Sequence, residues 1–553
     1  MANKLQILSN GESFDLFDGE AERFYITYQI HDLSNLETRN GNFSRRVNLP
    51  LTSKNKGILD AALPTVARFD TNSVGITPCE ILVNDMPALS DAYFVIDTQQ
   101  ENSVSIQIFG GISKFYSDLP DTSIREFTYT DITWTDSGLQ SLMNTSTDIV
   151  IANAQWTTNQ TSRLLSSSTG NAVQELIESG FFIYTKSILD KIFAGFTNLT
   201  FDSSAMDASY SKYAIACSVD QIHKNYINRE TVNTTVTPQN FFPDISQRDF
   251  VREVFKLQNI VAVESNNVVT LKYFKSLQTE TPKTLVLNYD KEKTVYNTFT
   301  TYSQTNELKY SDDDIIERTD VNSSFPTNSE TLPLKGTAVQ SKFFACDLGE
   351  SGLNFTRACV PCWEIEEFRS DYNWSRNGTN NIFSVSGQTQ AKVGDLVTFS
   401  GELFRIVTID ADKRGGTVDR TLPSGSSSNP LFFRYKHNSK SLRIVSIEDR
   451  NATFIYSYNG EIKTSPNPTK EAQFVDALKW SELKTEYYQL LVDTMAKPFI
   501  IQAWINIPTI SLLEVNPLAP VYIEEYNAYF YINKLEQWKL NTGCRVELIQ
   551  IPK

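Results

Sequence analysis

The sequence contains very little histidine. Its 553 residues include three, His31, His223 and His437. They lie far apart, and none belongs to a His-Glu-x-x-His frame or a similar set of metal ligands. A lone histidine in a strand-rich sequence is more often a packed or surface residue than a ligand. The histidines therefore predict no metal site.

Cysteine is scarce as well, and its six positions are scattered along the chain: Cys79, Cys217, Cys346, Cys359, Cys362 and Cys544. In a long chain of this kind, scattered cysteines favour reduced, packed side chains over a disulfide framework. The segment Cys359-Val-Pro-Cys362 has the spacing of a redox or zinc half-site. It has no second cysteine pair and no nearby histidine, so we expect neither zinc nor any other cofactor.

Several catalytic motifs are missing. The sequence has no Gly-x-Ser-x-Gly elbow, no phosphate-binding Gly-x-x-x-x-Gly-Lys-[Ser/Thr] and no Gly-x-Gly-x-x-Gly after a strand. Paired carboxylates for glycoside cleavage follow no spacing rule in sequence. Glu524-Glu525 and Glu364 to Glu367 are therefore candidates only because the sequence does not exclude them. The run Asp312-Asp313-Asp314 lacks the spaced ligands and the glycine of a calcium loop, which favours a solvated turn. We assign no catalytic, cofactor-binding or metal-binding residue and expect no enzyme.

Long apolar runs are missing too. No stretch approaches the roughly 18 apolar residues of a membrane-spanning helix. The N-terminal segment MANKLQILSNGESFDLFDGEAERF carries acidic residues where a signal peptide needs an apolar core. The sequence therefore predicts a protein without an export signal or a membrane span.

Basic residues are outnumbered by acidic ones. The 50 Lys and Arg against 65 Asp and Glu give a net charge of −15. A specific nucleic-acid binder normally carries a basic stripe, so this balance argues against one. An acidic wall would let DNA pass without sticking, because like charges repel. Solubility alone also explains the charge, and it is the favoured explanation.

Aromatic and β-branched residues are what the chain has in quantity, with 34 Phe and 24 Tyr, and this composition favours strands. The length predicts about three to five domains. Composition and turn residues suggest six segments: an N-terminal β-barrel-like domain at 1–120, an irregular insertion with a helix at 121–205, a small α/β helix-hairpin domain at 206–290, a return segment to the core at 291–390, a small β-module at 391–445, and a C-terminal helix with barrel-like strands at 446–553.

Alternating patterns identify individual strands. Phe24, Ile26, Tyr28 and Ile30 alternate with Tyr25, Thr27 and Gln29, which predicts a half-buried strand near the N-terminus. Near the C-terminus Cys544, Val546 and Leu548 alternate with Arg545 and Glu547, which predicts a strand with one buried and one solvent-exposed face.

Helical patterns identify three further elements. Ser246 with Asp249 predicts a capped start to the helix FVREVFKL, followed by a hairpin IVAVES and VVTLKYF with Asn266-Asn267 at its turn. Apolar residues at helical spacing predict two more helices, with buried faces formed by Ile188, Leu189, Ile192 and Phe193 and by Leu483, Tyr487, Leu490 and Leu491.

Five segments, in order along nearly the whole chain, resemble the tail proteins of tailed bacteriophages. They are FSRRVNLPLTSKNKGIL with TPCEILVND, VSIQIFGGISKFYSDL, PDISQRDFVREVFKLQNIVAVESNNVVTLKYF, VYNTFTTYSQTNELKY, and PVYIEEYNAYFYINKLEQWKLNTGCRVELIQI. The order of the segments is more specific than any one of them.

The resemblance implies a mainly β, multidomain fold with α+β insertions and two β-barrel-like domains, N-terminal and C-terminal, typical of phage tail hubs. It also implies a virion protein, made in the host bacterial cytoplasm, that forms a homotrimeric ring at the distal end of the tail. Its partners would be the tail tube or distal tail ring, fibres and a spike, and DNA would pass through the ring.

Two other classes stay open. A secreted or surface glycan-binding or glycan-cleaving β-rich protein would have a concave aromatic site with paired carboxylates. A receptor-binding fibre usually has long repeats, and the sequence shows no internal repeat. The glycan protein is therefore the main alternative to a tail hub.

Overall fold

A computed structural model describes residues 4–552 of the chain with internal gaps. The gaps are residues 21–23, 30, 34–35, 37–41, 45, 60–76, 111–114, 117, 134, 146, 158–173, 176–179, 198, 218–234, 266–267, 285–286, 288–291, 312–319, 328–330, 349–357, 370–372, 377–380, 394, 400–401, 419–420, 423–425, 428–430, 438–441, 452, 454, 459–460, 506–517 and 540–542. The acidic run 312–314 and the turns at 266–267 and 541–542 lie outside the described residues.

Residues 4–110 form strands with one short helix in the described part. The strands are β1 Leu5–Ser9, β2 Glu12–Ser13, β3 Ile26–Tyr28, β4 Asn42–Ser44, β5 Val47–Pro50, β6 Thr77–Val83, β7 Met86–Gln99 and β8 Ser103–Gly110. The helix Ser53–Leu59 follows β5 directly. The Thr52 Oγ1 accepts a hydrogen bond from the Asn55 N–H at 3.1 Å, which satisfies one donor of the first helical turn.

Residues 121–290 mix helices with short strands. The strands are β9 Ile132–Thr133, β10 Ile149–Val150, β11 Gln155–Thr157, β12 Gln174–Glu175, β13 Phe181–Tyr184, β14 Thr200–Asp202, β15 Tyr213–Cys217, β16 Thr235–Val236, β17 Ile260–Ser265, β18 Val268–Tyr273 and β19 Lys283–Thr284. The α-helices described in this region are Asp136–Leu142, Thr185–Ala194, Ala208–Lys212 and Gln247–Leu257. Short 3-10 turns occupy Ile124–Glu126, Pro238–Phe241 and Phe274–Gln278.

The predicted helix-hairpin is confirmed. The Ser246 Oγ accepts a hydrogen bond from the Asp249 N–H at 3.1 Å, and the helix runs from Gln247 to Leu257. Its apolar face is buried, and β17 and β18 then pair antiparallel. The predicted helix with Ile188 on its buried face is confirmed as Thr185–Ala194.

Residues 291–450 consist of strands in the part that is described. They are β20 Thr294–Tyr296, β21 Thr305–Lys309, β22 Ser323–Pro326, β23 Lys335–Gln340, β24 Asp347–Leu348, β25 Ala358–Arg369, β26 Trp374–Arg376, β27 Ile382–Val385, β28 Leu396–Phe399, β29 Glu402–Ile409, β30 Gly415–Val418, β31 Ser426–Ser427, β32 Leu431–His437 and β33 Ile444–Arg450. Trp374 stacks on Phe383 at 4.1 Å within a separate small core that extends to Leu422.

The C-terminal region returns to helix and then to long strands. The strands are β34 Ile455–Tyr458, β35 Glu461–Thr464, β36 Thr469–Gln473, β37 Ile500–Ile505, β38 Val521–Ile523, β39 Ala528–Lys539 and β40 Gly543–Ile551. A 3-10 turn at Asp476–Leu478 precedes the helices Trp480–Leu483 and Gln489–Ala496, with a π-helical turn at Lys484–Tyr488 between them. No helix in the described part of the chain has the length and apolarity needed to cross a bilayer.

The two ends of the chain share one curled sheet of 14 strands. Its main order is β2-β1-β6-β7-β8-β4-β3-β39-β40-β37-β20, with β5 against β8 and the pair β19-β38 against β39. The mainly β, multidomain fold is thereby confirmed. The strands that the resemblance assigns to two barrel-like domains meet at β3 and β39.

The other sheets also join segments that are distant in sequence. One has five strands in the order β10-β13-β15-β33-β36, and another has ten, with main order β11-β25-β32-β28-β29-β30-β27-β26-β31. One large hydrophobic core lies under the five-stranded sheet and the helices, and a second fills one face of the 14-stranded sheet. The domain boundaries proposed from the sequence stay predictions.

Candidate functional site

The junction between the two ends of the chain is held by hydrogen bonds as well as by strand pairing. In the antiparallel pair β3 and β39, Ile26 lies opposite Trp538. Just beyond β3, the Leu33 N–H donates to the Asn533 Oδ1 at 2.9 Å, and the Tyr531 hydroxyl donates to the His31 carbonyl at 2.9 Å. Because these groups are buried, each lost partner would leave a costly unpaired polar atom. The buried hydrogen bonds therefore favour this one arrangement of the two ends of the chain.

Strand β40 shows how the sequence places this sheet between two cores. Cys544, Val546 and Leu548 point into the core of the sheet, as their alternation predicts. On the opposite face, Ile549 and Ile551 pack against the large core of the helical region. The sheet therefore also anchors the rest of the chain.

A ladder of polar side chains occupies the remaining part of that opposite face. The Glu547 carboxylate accepts hydrogen bonds from the Asn533 Nδ2 at 2.6 Å and from the Gln502 Nε2 at 2.9 Å. Arg545 lies opposite Glu536 and forms an ion pair with it at 3.8 Å. Cross-strand pairs of this kind fix the register of a sheet.

In the described part of the chain, β20 is the last strand of the sheet and forms an open edge. Among the described residues its one strand partner is β37. Every residue from 292 to 297 is exposed, including Val295 at 41% and Tyr296 at 43%. An edge strand presents a row of N–H and C=O groups to which another chain can add a strand. Exposed apolar side chains on such an edge mark it as a candidate assembly surface.

A partly buried polar network joins the helix-hairpin to the C-terminal helices. At its centre the Tyr487 hydroxyl lies 2.7 Å from the Ser209 Oγ, 3.1 Å from the Asp207 Oδ2 and 3.2 Å from the Gln258 Nε2. The Tyr273 hydroxyl accepts a hydrogen bond from the Asp207 N–H at 3.2 Å. Tyr487 belongs to the π-helical turn, which widens the helix by one residue and is often found at functional positions.

The protonation states match this network. Burial raises the pKa of the Asp207 carboxyl, but hydrogen bonds from Ser209, Tyr273 and Tyr487 outweigh burial, so that the pKa lies below its ordinary value. Burial raises the pKa of the Tyr487 hydroxyl above its ordinary value. At neutral pH the ionised Asp207 carboxylate therefore accepts a hydrogen bond from the neutral Tyr487 hydroxyl. Helical spacing predicts Tyr487 only as part of a buried apolar face. No local sequence pattern indicates that its hydroxyl forms the centre of a polar network.

Removing the Tyr487 hydroxyl should destabilise this junction. We expect Tyr487→Phe to lower the free energy of unfolding by about 1–3 kcal/mol, because it leaves buried polar groups with fewer partners. Tyr522→Phe is the matched control, since the Tyr522 hydroxyl donates to the Asn527 Oδ1 in an exposed setting. The control should change stability by less than about 0.5 kcal/mol. Urea unfolding of both variants measures the difference, and equal effects would contradict a structural role for the network.

The histidines do not come together in the described structure. His31 is buried, and its ring lies edge-on to Phe274 at 5.2 Å, so the prediction of a packed residue is confirmed there. His223 lies outside the described residues. His437 ends β32, where the backbone alone is described.

The cysteines that the structure describes fully are packed and reduced. They are Cys79, Cys217, Cys346 and Cys544. Burial raises the pKa of the Cys544 thiol to about 12 and also raises that of Cys79, so neither is a reactive thiolate at neutral pH. Cys359 and Cys362 lie on β25, whose side chains are not described.

The candidate carboxylates are separated in the fold. Glu524 and Glu525 belong to a 3-10 turn after β38, where Glu525 forms an ion pair with Lys293 at 2.6 Å. The segment from Glu364 to Glu367 lies within β25, again described by its backbone alone. In the described part of the chain, no three His, Cys, Asp or Glu side chains are grouped so as to hold a metal ion.

The chain is thus a mainly β, multidomain protein whose best-defined surfaces are a sheet junction and an open sheet edge. No protein-family model matches the sequence, and no curated protein matches it. Among solved structures, the chain is similar to the 43 kDa tail protein of prophage MuSo2 from Shewanella oneidensis, with 6% identity, 99% of this chain and 97% of that chain covered, and a TM-score of 0.35. It is also similar to the tail protein from Neisseria meningitidis MC58, with 7% identity, 100% and 97% covered, and a TM-score of 0.38.

Proposed function

We propose that this protein is a structural component of a bacteriophage tail, the hub at the distal end of the tail. The observation that carries the proposal is the sheet shared by the two ends of the chain. Its strands include the N-terminal and C-terminal segments that resemble phage tail proteins in the sequence. The proposal therefore rests on one structural unit built from the segments that carry the resemblance.

The hub is a homotrimer. A closed ring of identical copies needs rigid subunits and complementary contact surfaces. The junction of β3 and β39 supports rigidity, because strand pairing and buried hydrogen bonds tie the two ends together. The open edge β20 supplies an assembly surface. In a threefold ring, the two strand-rich parts of each copy present six similar faces in total. Such a ring can match a sixfold tube on one side and a threefold tip on the other.

The partners of this hub are other tail proteins: the tail tube or distal tail ring, the fibres and the spike. The role is mechanical and includes letting DNA pass on infection. The net charge of −15 supports a passage without specific nucleic-acid binding, because an acidic surface repels phosphates. The protein is made in the host bacterial cytoplasm, resides in the virion tail and is not an enzyme.

Charged substitutions on the open edge should weaken the trimer. We expect Val295→Lys with Tyr296→Lys to shift the mass measured by light scattering from trimer towards monomer at equal protein concentration. The thermal unfolding of the monomer should stay nearly unchanged, because both side chains are already more than one-third exposed. Lysine on an edge strand opposes the addition of a neighbouring strand.

Val268→Lys is the matched control for this experiment. Val268 is also an exposed strand residue, at 36%, but it lies on β18 in the helix-hairpin. The control should remain trimeric. A wild-type protein that stays monomeric at all concentrations and binds polysaccharide would overturn the hub in favour of the glycan-binding alternative. A trimer that is unaffected by both edge lysines would overturn the role of β20.

A further inference from the structure

A cavity of about 250 Å³ opens at the C-terminal end of the helix Thr185–Ala194. Its apolar lining comes from two parts of the chain: Ile192, Phe196 and Leu199 in and after this helix, and Pro120 and Phe127 between β8 and β9. Phe127, Phe196 and Leu199 are half-buried and pack against the large hydrophobic core. The cavity is therefore an apolar recess at the edge of that core.

Contacts behind the lining hold it in place. The Phe196 ring packs against those of Phe115 and Phe201, with centroid separations of 5.7 and 5.5 Å. Gln247 also lines the cavity and is 6% exposed. Its backbone N–H donates to the Thr122 carbonyl at 2.9 Å, and its Nε2 donates to the Thr122 Oγ1 at 2.9 Å. A lining fixed in this way is formed before a ligand arrives, so that binding has little ordering to offset.

Two polar groups of the lining can accept a hydrogen bond from a ligand. Because the Gln247 Nε2 is held by Thr122, the Oε1 of the same amide is its atom suited to a ligand. Asp118 adds a half-buried carboxylate to the lining. A carboxylate has about four acceptor sites, so Asp118 can accept from a ligand in addition to its contacts within the chain. Hydrogen bonds to a carboxylate are stronger than those to an amide, so Asp118 is the main acceptor.

We propose that this cavity binds a small aromatic molecule that carries a hydrogen-bond donor, such as a phenol or an indole. The ligand ring packs against Phe127 and Phe196 in the edge-to-face or offset geometry that aromatic pairs prefer. Its hydroxyl or N–H donates to the Asp118 carboxylate. The volume lies just below the usual range of ligand pockets, which limits the ligand to about one or two rings. The site is independent of the proposed role in the tail, because its described lining lies outside β3, β39 and β20.

Saturation-transfer NMR on the full chain tests this assignment with 4-methylphenol and indole as probes. Toluene is the comparison, because it has the ring and methyl group of 4-methylphenol without the hydroxyl. We expect both probes to show saturation transfer. Titrations should show that 4-methylphenol binds about tenfold more tightly than toluene, which corresponds to about 1.4 kcal/mol. Asp118→Ala should remove most of this preference while toluene binds as before, which separates loss of the acceptor from loss of the cavity.

Thr197→Trp should abolish binding of both probes, because the added indole ring would occupy the cavity. Thr197 lines the cavity and is exposed, so its variant should keep the thermal unfolding of the wild type.

Thr279→Trp is the matched control, because Thr279 is an exposed threonine that follows the 3-10 turn Phe274–Gln278, outside the described lining. It should bind both probes as the wild type does. The proposal is overturned if neither probe shows saturation transfer, or if toluene binds as tightly as 4-methylphenol. It is equally overturned if transfer persists in a folded Thr197→Trp variant, or if Thr279→Trp loses binding as well. Light scattering on the same samples reports the trimer separately, so the two proposals can fail independently.

Discussion

Leu548→Ala is expected to lower the free energy of unfolding of the 14-stranded sheet by about 2–5 kcal/mol. Leu548 is 0% exposed and lies on β40 between Ile532 of β39 and Ile501 of β37. Truncation removes buried apolar surface and leaves a cavity in a sheet that cannot collapse without disturbing neighbouring strands. Urea unfolding, followed by circular dichroism, measures the loss.

Gln550→Ala is the matched control for Leu548→Ala. Gln550 lies two residues further along β40 and is exposed. Its substitution should change stability by less than about 0.5 kcal/mol. A loss of similar size in both variants would mean that Leu548 does not lie in a packed core.

Trp480→Ala, in the large core under the five-stranded sheet, should lower the free energy of unfolding by about 3–5 kcal/mol. Trp480 is 0% exposed and its ring contacts those of Tyr310 and Tyr488, with centroid separations of 5.8 and 5.9 Å. It begins the helix that leads into the π-helical turn. Loss of its volume therefore affects both the packing of this core and the position of Tyr487. Urea unfolding monitored by circular dichroism measures the change.

Trp480→Phe separates packing from hydrogen bonding. The Trp480 Nε1 has no hydrogen-bond partner among the described residues, so removing the indole N–H costs no hydrogen bond there. We expect Trp480→Phe to lose markedly less stability than Trp480→Ala, because much of the ring volume remains. Equal losses in the two variants would show that the indole nitrogen, and not the aromatic packing, supports the structure.

Local elements of this fold could be predicted from the sequence because their signals are local. The Ser246 cap fixes the start of one helix, and the alternation of Cys544, Val546 and Leu548 fixes the buried face of β40. Capping and periodicity depend on residues a few positions apart. These predictions are confirmed by the structure.

The half-buried strand predicted at residues 24–30 is only partly right. Ile26 is buried as expected, but Thr27 and Gln29, which the pattern assigns to the solvent-exposed face, are buried as well. Strand β3 lies in the middle of the shared sheet, between β4 and β39. A period of two distinguishes the two faces of a strand but does not show whether the second face is covered by another part of the chain.

The assembly of distant segments could not be predicted from patterns. The five-stranded sheet joins β10, β13 and β15 to β33 and β36, more than 200 residues further along the chain. Non-local pairing is set by tertiary packing and not by the composition of one segment.

Hydrogen exchange measured by mass spectrometry on Leu548→Ala tests most directly whether the two ends of the chain form one cooperative sheet. A sheet shared by both ends predicts that amides in β5 and β8, at residues 47–50 and 103–110, lose protection together with those of β39 and β40. It also predicts that Gln550→Ala leaves both groups protected. Faster exchange confined to residues 521–551, with wild-type protection in β5 and β8, would contradict a sheet shared by both ends.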